Sequence, residues 1–303
     1  MLFSFPARVR SYSRPKVIAP FYLCWVLPTV VFYYFPVPEG ISSFQQNLIL
    51  FLFVAMYLLL ASSLTYRIIK FVLLNDRAEV FKYSAVALFL FLLIYGYARI
   101  YDYAAVLIAG LSTANLLFAA GIAGTVLSSA IKRTGELVPV CLTAATADLM
   151  SVIKGPTKGM IEDISAYYEQ GMIGPPPFVD FIVVKAGIPG YDVPLPLFGV
   201  TDWVLVALLS ASLLRLNKTD NLLPGVRQAQ ERFLYLPVSA FALFTGLVTA
   251  QITGLFLPAM VFIVLFFLAY LVIKLKVHRE LERSDVLFSF LFPSCVVVVI
   301  LLI

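Results

Sequence analysis

Long apolar stretches recur along this chain from end to end and are separated by short polar segments. A helix needs about 20 apolar residues to cross the hydrocarbon core of a bilayer, so each stretch predicts one transmembrane helix. The predicted spans are residues 17–36, 46–64, 83–98, 104–130, 137–153, 195–214, 233–253, 256–273 and 285–303. The pattern therefore predicts an all-α polytopic membrane protein with about nine spans, four within residues 1–136 and five within residues 137–303.

The composition agrees with this interpretation. Of the 303 residues, 61% are hydrophobic and only 13% are charged, which is too little polar surface to cover a soluble domain of this size. The first apolar stretch lacks a small-residue cleavage site and is interpreted as a retained span. The fourth span, residues 104–130, is rich in Ala, Gly and Ser, which let helices approach closely in lipid. We expect it to be a buried helix, either tilted or with an interfacial turn, in which Asn115 forms an interhelical hydrogen bond.

Basic residues predict the orientation. Of the 22 Lys and Arg residues, 18 fall in five segments that lie on one side of the predicted bilayer: residues 1–16, 65–82, 131–136, 215–232 and 274–284. The positive-inside rule makes this side cytoplasmic, so the N-terminus is cytoplasmic and the C-terminus is extracytoplasmic. The net charge of +5 then reflects orientation and contact with anionic lipid, and we expect no nucleic-acid partner.

The longest polar segment, residues 154–194, falls on the extracytoplasmic side. Its first part, KGPTKGMIEDISAYYEQ, predicts a short amphipathic helix at the membrane surface. GMIGPPP breaks that helix, and FVDFIVVKAG has the β-branched and aromatic character of a strand. IPGYDVPLP then leads into the sixth span.

Among the 17 acidic residues, only Asp148 and Asp202 fall clearly inside predicted spans. An ionisable group at membrane depth is expensive and usually functional. The alternative is a structural carboxylate bonded to a neighbour such as Thr146 or Thr201. Both aspartates lie roughly 8–11 Å below the outer edge of their predicted spans. Two close carboxylates in a low-dielectric site share one proton, which is the aspartic-protease arrangement.

Other hydrolytic chemistries lack the residues they need. The single histidine, His278, lies in a predicted cytoplasmic loop, which excludes an HExxH zinc site and a Ser–His dyad. The three cysteines, Cys24, Cys141 and Cys295, are isolated in apolar stretches and are expected to pack as small hydrophobic residues. We therefore expect no metal and no cofactor.

Three motifs resemble those of the GxGD intramembrane aspartyl proteases, the presenilin and signal peptide peptidase superfamily. The first is ADLMSVIKGPTKGMIE at residues 147–162, the second is GVTD at residues 199–202, and the third is Pro-Ala-Met at residues 258–260. Their order and spacing match over residues 137–274, whereas residues 1–136 match only in being hydrophobic. The resemblance identifies the chain as a divergent member of prokaryotic type and implies a presenilin-like bundle.

The resemblance also implies roles for these residues. Asp148 and Asp202 would be the catalytic pair, and Gly199 would permit close approach of helix and substrate. Pro258, Ala259 and Met260 would shape the cleft beside the aspartates. Residues 137–303 would then form the catalytic region, with both Asp helices, the outer loop 154–194, the Pro-Ala-Met span and a C-terminal span.

The chain departs from the family pattern in several places. Thr201 replaces the second glycine, where its hydroxyl is positioned either to hydrogen-bond Asp202 or to crowd the substrate. Ala147 replaces an aromatic residue and Met260 replaces leucine. Four spans rather than five precede the first Asp helix, and one extra span follows at the C-terminus.

The orientation predicts the class of substrate. The loop between the Asp helices faces away from the cytoplasm, as it does in signal peptide peptidases. By analogy we expect transmembrane peptide substrates with a cytoplasmic N-terminus, either single-span proteins or remnant signal peptides. Loop 154–194 would act as a gate whose FVDFIVV edge pairs with an unwound substrate strand. Short loops favour a compact enzyme of a prokaryotic plasma membrane, either a monomer or a small homo-oligomer.

Two other classes of function stay open. A secondary transporter would use Asp148 and Asp202 as a proton or cation relay, and would be expected to show two similar halves with interrupted helices. The sequence shows no such symmetry. A non-catalytic membrane scaffold would leave both aspartates without a role.

Overall fold

The structure is a computed structural model that describes residues 15–37, 40, 42–100, 106–171, 176–223, 234–254 and 258–302. Residues 1–14, most of the predicted helix-breaking segment GMIGPPP and residues 224–233 lie outside this description. Several of the basic residues that predict the orientation, including Arg8, Arg10, Arg227 and Arg232, are therefore not described.

The described residues form ten α-helices and one small sheet. The helices are α1 (Pro15–Tyr33), α2 (Ser43–Leu74), α3 (Arg77–Ile100), α4 (Val106–Leu127), α5 (Leu137–Ile153), α6 (Pro156–Glu169), α7 (Val200–Arg215), α8 (Val238–Thr253), α9 (Ala259–Ile273) and α10 (Arg283–Leu302). The strands are β1 (Val183–Ala186) and β2 (Leu195–Gly199).

Five of these helices, α2, α3, α4, α5 and α10, are long and apolar enough to cross a membrane. Three shorter apolar helices are α8, α9 and the part of α1 from Pro20 to Tyr33. The structure thus agrees with an all-α membrane protein. The number of nine crossings stays a prediction.

Helix α4 is the centre of the bundle and the most buried of the five long helices. It packs against α1, α2, α3 and α7. A Cβ added at Gly124 would lie 2.6 Å from the Val204 carbonyl oxygen, so the small residue is needed for contact with α7. Asn115 accepts from the Tyr22 hydroxyl at 2.8 Å and donates to the Ala87 carbonyl at 3.0 Å. The predicted buried helix and the predicted interhelical hydrogen bond are both confirmed.

One helix continues beyond its predicted span, and one predicted span begins with a strand. Helix α2 does not end near residue 64 but continues to Leu74, because its apolar periodicity persists and buries Ile68 and Ile69. The predicted span 195–214 begins with strand β2, and its helix starts only at Val200. A short apolar run fits a strand or a helix equally well, and here pairing with β1 decides in favour of a strand.

The outer segment has the predicted elements with different bounds. Helix α6 confirms the amphipathic helix. The observed strand is shorter than the predicted strand FVDFIVVKAG, because Phe178–Phe181 forms a 3₁₀ turn and only Val183–Ala186 is extended. β1 and β2 pair antiparallel, with Val183 opposite Gly199 and Ala186 opposite Leu195. The sheet therefore ends directly at the start of α7, where Asp202 lies.

Candidate active site

The first candidate aspartate, Asp148, lies in the last two turns of α5, just before a sharp change of direction. Gly155 lies so close to α5 that an added Cβ would be 2.6 Å from the Cα atom of Ser151. Pro156 is the first residue of α6, a position where its missing N–H breaks no helical hydrogen bond. The Lys-Gly-Pro part of the first motif therefore ends α5 one and a half turns after Asp148 and starts α6 at once.

Asp148 is bound by the first turn of α9. Its Oδ2 atom accepts a hydrogen bond from the backbone N–H of Met260 at 3.0 Å. Pro258 is the extended N-cap residue of α9, which leaves the N–H groups of the first turn without intrahelical acceptors. A carboxylate is favoured there by both the free N–H groups and the helix dipole. The Pro-Ala-Met motif and Asp148 thus form one local unit.

Asp202 is bound in a similar way by the start of its own helix. It is the third residue of α7, and its Oδ2 atom accepts from the backbone N–H of Gly199, the N-cap residue, at 3.1 Å. Gly199 has an ordinary φ of −72°, so its glycine character is not a backbone requirement. A Cβ at this position would instead lie 3.3 Å from the Asp202 carboxylate and 3.5 Å from the Thr201 hydroxyl.

The structure does not support the threonine-bonded alternative. The Thr146 hydroxyl donates to the Leu142 carbonyl at 2.8 Å rather than to Asp148. The side chain of Thr201 is exposed and faces a cleft. Within the described ranges, the second oxygen of each aspartate accepts no hydrogen bond. Each carboxylate therefore has one oxygen held by backbone and one oxygen available for chemistry.

A cleft of about 470 Å³ lies between the two aspartate helices. One wall is a stripe of α5 with Val140, Thr143, Ala144 and Ala147, and the opposite wall is a stripe of α7 with Thr201, Val204, Leu205 and Leu208. Met260 and Phe292 complete the lining. Helical periodicity puts Asp148 one turn beyond Ala144, and Asp202 one turn before Leu205. Both aspartates therefore lie next to the end of the cleft that Ala147, Thr201 and Met260 line, and their carboxyl groups interact electrostatically.

All the predicted site residues come together here. Asp148 and Asp202 are the chain neighbours of the cleft-lining residues Ala147 and Thr201, and the backbone N–H groups of Met260 and Gly199 donate to their carboxylates. Pro258 and Ala259 build the start of α9 that holds Asp148. Two parts of the site are not predicted from the sequence, strand β2 and Phe292. The alternation in DVPLPLFG is compatible with strand β2 but does not distinguish it from the start of a helix, and nothing in the sequence indicates that Phe292 of α10 reaches this site.

Comparisons with protein-family models, with curated proteins and with solved structures found no match to this chain. The resemblance to the GxGD proteases therefore depends on the three motifs. In the described part of the chain, no group of three or more His, Cys, Asp or Glu side chains is arranged to hold a metal ion.

Proposed function

We propose that this protein is an intramembrane aspartyl protease that hydrolyses peptide bonds of single-span membrane proteins or remnant signal peptides. The observation that supports the proposal is that Asp148 and Asp202 adjoin the same end of one cleft and that their carboxyl groups interact electrostatically. Each keeps one oxygen free of hydrogen bonds among the described residues, as a water-activating dyad requires.

The chemistry follows from two interacting carboxyl groups that hold one proton between them. The ionised carboxylate takes a proton from a water molecule, whose oxygen attacks the scissile carbonyl carbon. The protonated partner donates its proton to the carbonyl oxygen, which gives a neutral tetrahedral diol. Collapse of the diol breaks the C–N bond and moves a proton to the leaving amine, so the dyad returns to its starting state.

Strand β2 supports a way of presenting the substrate. A transmembrane helix must unwind before water can reach its backbone, and the exposed backbone groups then need new partners. β2 ends at Gly199, three residues before Asp202, so a substrate strand added to the β1–β2 sheet would run directly to the dyad. We expect the segment 154–194, including α6, to gate this approach.

We further propose a membrane topology with nine crossings and a cytoplasmic N-terminus. The C-terminus and loop 154–194 between the two Asp helices would be extracytoplasmic. The distribution of 18 basic residues on one side and four on the other supports it. Substrates would then enter with a cytoplasmic N-terminus. A prokaryotic plasma membrane and a monomer or small homo-oligomer fit the short loops.

The capping hydrogen bonds favour a second candidate function, a non-catalytic scaffold in which both aspartates only hold helix starts. Asparagine separates the two proposals, because its side-chain oxygen caps a helix as well as that of aspartate but cannot act as a base. A proton relay, the third candidate, would carry pH-driven flux in proteoliposomes.

The test compares wild type with Asp148→Asn and Asp202→Asn on a single-span reporter in detergent. We expect each variant to keep its thermal unfolding temperature and to lose cleavage by a factor of about 10² to 10⁴ or more. Asp76→Asn, at an exposed acid just before α3 and outside the proposed gate, serves as the matched control and should cleave normally. Cleavage at the wild-type rate by either dyad variant would contradict the proposal.

A further inference from the structure

The start of the C-terminal helix α10 contacts the segment just before α5, at its predicted cytoplasmic end, through the buried side chain of Asp285. The Asp285 side chain is 2% exposed, and its carboxylate accepts from Arg133 at 3.4 Å and from the Glu282 backbone N–H at 3.0 Å. Gly135 lies against it so closely that a Cβ would be 2.5 Å from Oδ2 of Asp285. The start of α10 is thereby fixed beside the start of α5, and the two helices pack along each other from there.

This attachment sets the height of Phe292 in the cleft. Seven residues of rise put Phe292 about 10 Å above Asp285, whereas thirteen residues put Asp148 about 20 Å above Gly135. Phe292 therefore lies about 9 Å to the cytoplasmic side of Asp148, beside the α5 stripe from Val140 to Ala147. It is the residue of α10 that lines the cleft in the described structure.

The Phe292 ring forms a boundary between the cleft and the outer surface of the bundle. It is 45% exposed and stacks on Phe288 with ring centroids 5.0 Å apart, so core packing does not lock it on every side. Phe292 is the largest side chain in the lining, and the other lining residues are Met260 and Ala, Val, Thr or Leu residues of α5 and α7. Phe292 thus limits the width of an otherwise apolar space that leads to the dyad.

We propose that Phe292 is a specificity-determining residue that limits the size of substrate side chain accepted in this part of the cleft. The inference rests on the proposed protease function and names its occupant, a single-span transmembrane peptide. An extended chain rises about 3.3 Å per residue, so 9 Å corresponds to about three residues from the scissile bond. With a cytoplasmic substrate N-terminus, these residues lie on the N-terminal side of that bond.

The first test measures side-chain discrimination. Reporters carry Ala or Phe at the second, third or fourth residue before the scissile bond, and kcat/KM is compared for wild type, Phe292→Ala and Phe290→Ala. Phe290 is 72% exposed on the same helix and serves as the matched control. We expect Phe292→Ala to raise the Phe-to-Ala ratio of kcat/KM on the order of tenfold at one of these positions, with no change for Phe290→Ala. Equal ratios in all three proteins would overturn the proposal.

The second test does not depend on cleavage. A photo-crosslinking amino acid is placed at position 292 or 290 of the Asp202→Asn protein, which is then irradiated with the reporter peptide in detergent. We expect crosslinks from position 292, mapped to residues on the N-terminal side of the reporter, and none above background from position 290. If position 292 crosslinks to the reporter but the wild-type protein does not cleave it, the proposed protease function is rejected, whereas the assignment of Phe292 to the peptide-binding cleft is kept. Equal crosslinking at both positions would reject the assignment of Phe292.

Discussion

Substitution of Lys185 by methionine tests whether a buried ion pair holds the sheet beside the site. The Lys185 ammonium pairs with the Asp180 carboxylate, and the two side chains are 5% and 0% exposed. The Tyr168 hydroxyl of α6 donates to the other Asp180 oxygen at 3.1 Å, and the backbone N–H of Lys185 donates to Thr113 of α4 at 3.0 Å. One cluster thus connects α6, β1 and α4.

The expected loss of unfolding free energy follows from the unpaired Asp180 carboxylate that remains after the substitution. Lys185→Met retains the aliphatic length of the side chain but removes the positive charge. The buried Asp180 carboxylate is then left with the Tyr168 hydroxyl as its remaining side-chain donor. Removing one partner of a buried pair costs about 3–5 kcal/mol, whereas replacing both with apolar groups is often nearly neutral. We therefore expect Lys185→Met to lose about 3–5 kcal/mol of unfolding free energy, and Lys185→Met combined with Asp180→Leu to recover most of it.

The assay is reversible unfolding in mixed micelles, followed by circular dichroism. Lys82→Met, an exposed lysine on α3, is the control and should change stability by less than about 0.5 kcal/mol. Equal losses of unfolding free energy in the single and double variants would refute the buried ion pair, because removal of the stranded Asp180 carboxylate would then recover nothing.

The pH dependence distinguishes the two members of the pair. Burial lowers the pKa of Lys185, and the Asp180 charge opposes that shift. Asp180→Asn removes the opposing charge, so the folded pKa of Lys185 falls further below the unfolded value of about 10.4. Between these two values the unfolded state binds more protons, so stability rises with pH. We expect the unfolding free energy of Asp180→Asn to rise as the pH increases towards the unfolded lysine pKa of about 10.4, and Lys185→Met to show no such rise.

Two further predictions concern packing and a buried acid. Gly124→Ala should lose about 1–3 kcal/mol or more of unfolding free energy, because the added methyl group meets the backbone of α7. The control Gly96→Ala, where the added methyl group has open space, should be neutral or stabilising in thermal unfolding. Equal effects of the two substitutions would refute the close approach of α4 and α7. Tyr235→Phe removes a donor to buried Asp220, whose pKa burial raises, and should cost about 1–3 kcal/mol. A raised folded pKa means stability is lost as pH rises through it, so the deficit should be smaller at pH 5 than at pH 8 and absent in exposed Tyr34→Phe.

The sequence predicts those parts of the molecule whose physical cause is local. Long apolar runs predict helices, and a small-residue stretch with one amide predicts the buried α4 and the bonds of Asn115. The motifs at Gly199 and Pro258 are readable because each marks a break in the chain directly before a helix. The same local signals mark Asp148 and Asp202, whose chain neighbours Ala147 and Thr201 line one cleft.

Other features depend on contacts that no local pattern encodes. Residues 195–199 become a strand only because β1 lies beside them. Asp220, in a predicted cytoplasmic segment, is fully buried because Ser210 and Tyr235 supply hydroxyl donors from separate elements. Phe292 reaches the cleft because the contact of Asp285 with Gly135 sets where α10 leans on α5. Each requires knowledge of which elements are neighbours.

The two carboxylates are held by separate parts of the fold, and this has a consequence for how the site works. Asp148 is bound by α9, and its helix α5 packs on α9 and α10. Asp202 is bound by its own helix start, and α7 packs on α4. A change in the width of the cleft therefore alters the separation of the carboxyl groups without breaking either backbone hydrogen bond. Under the proposed protease function, a peptide that enters between α5 and α7 would therefore also change the separation of the two carboxyl groups.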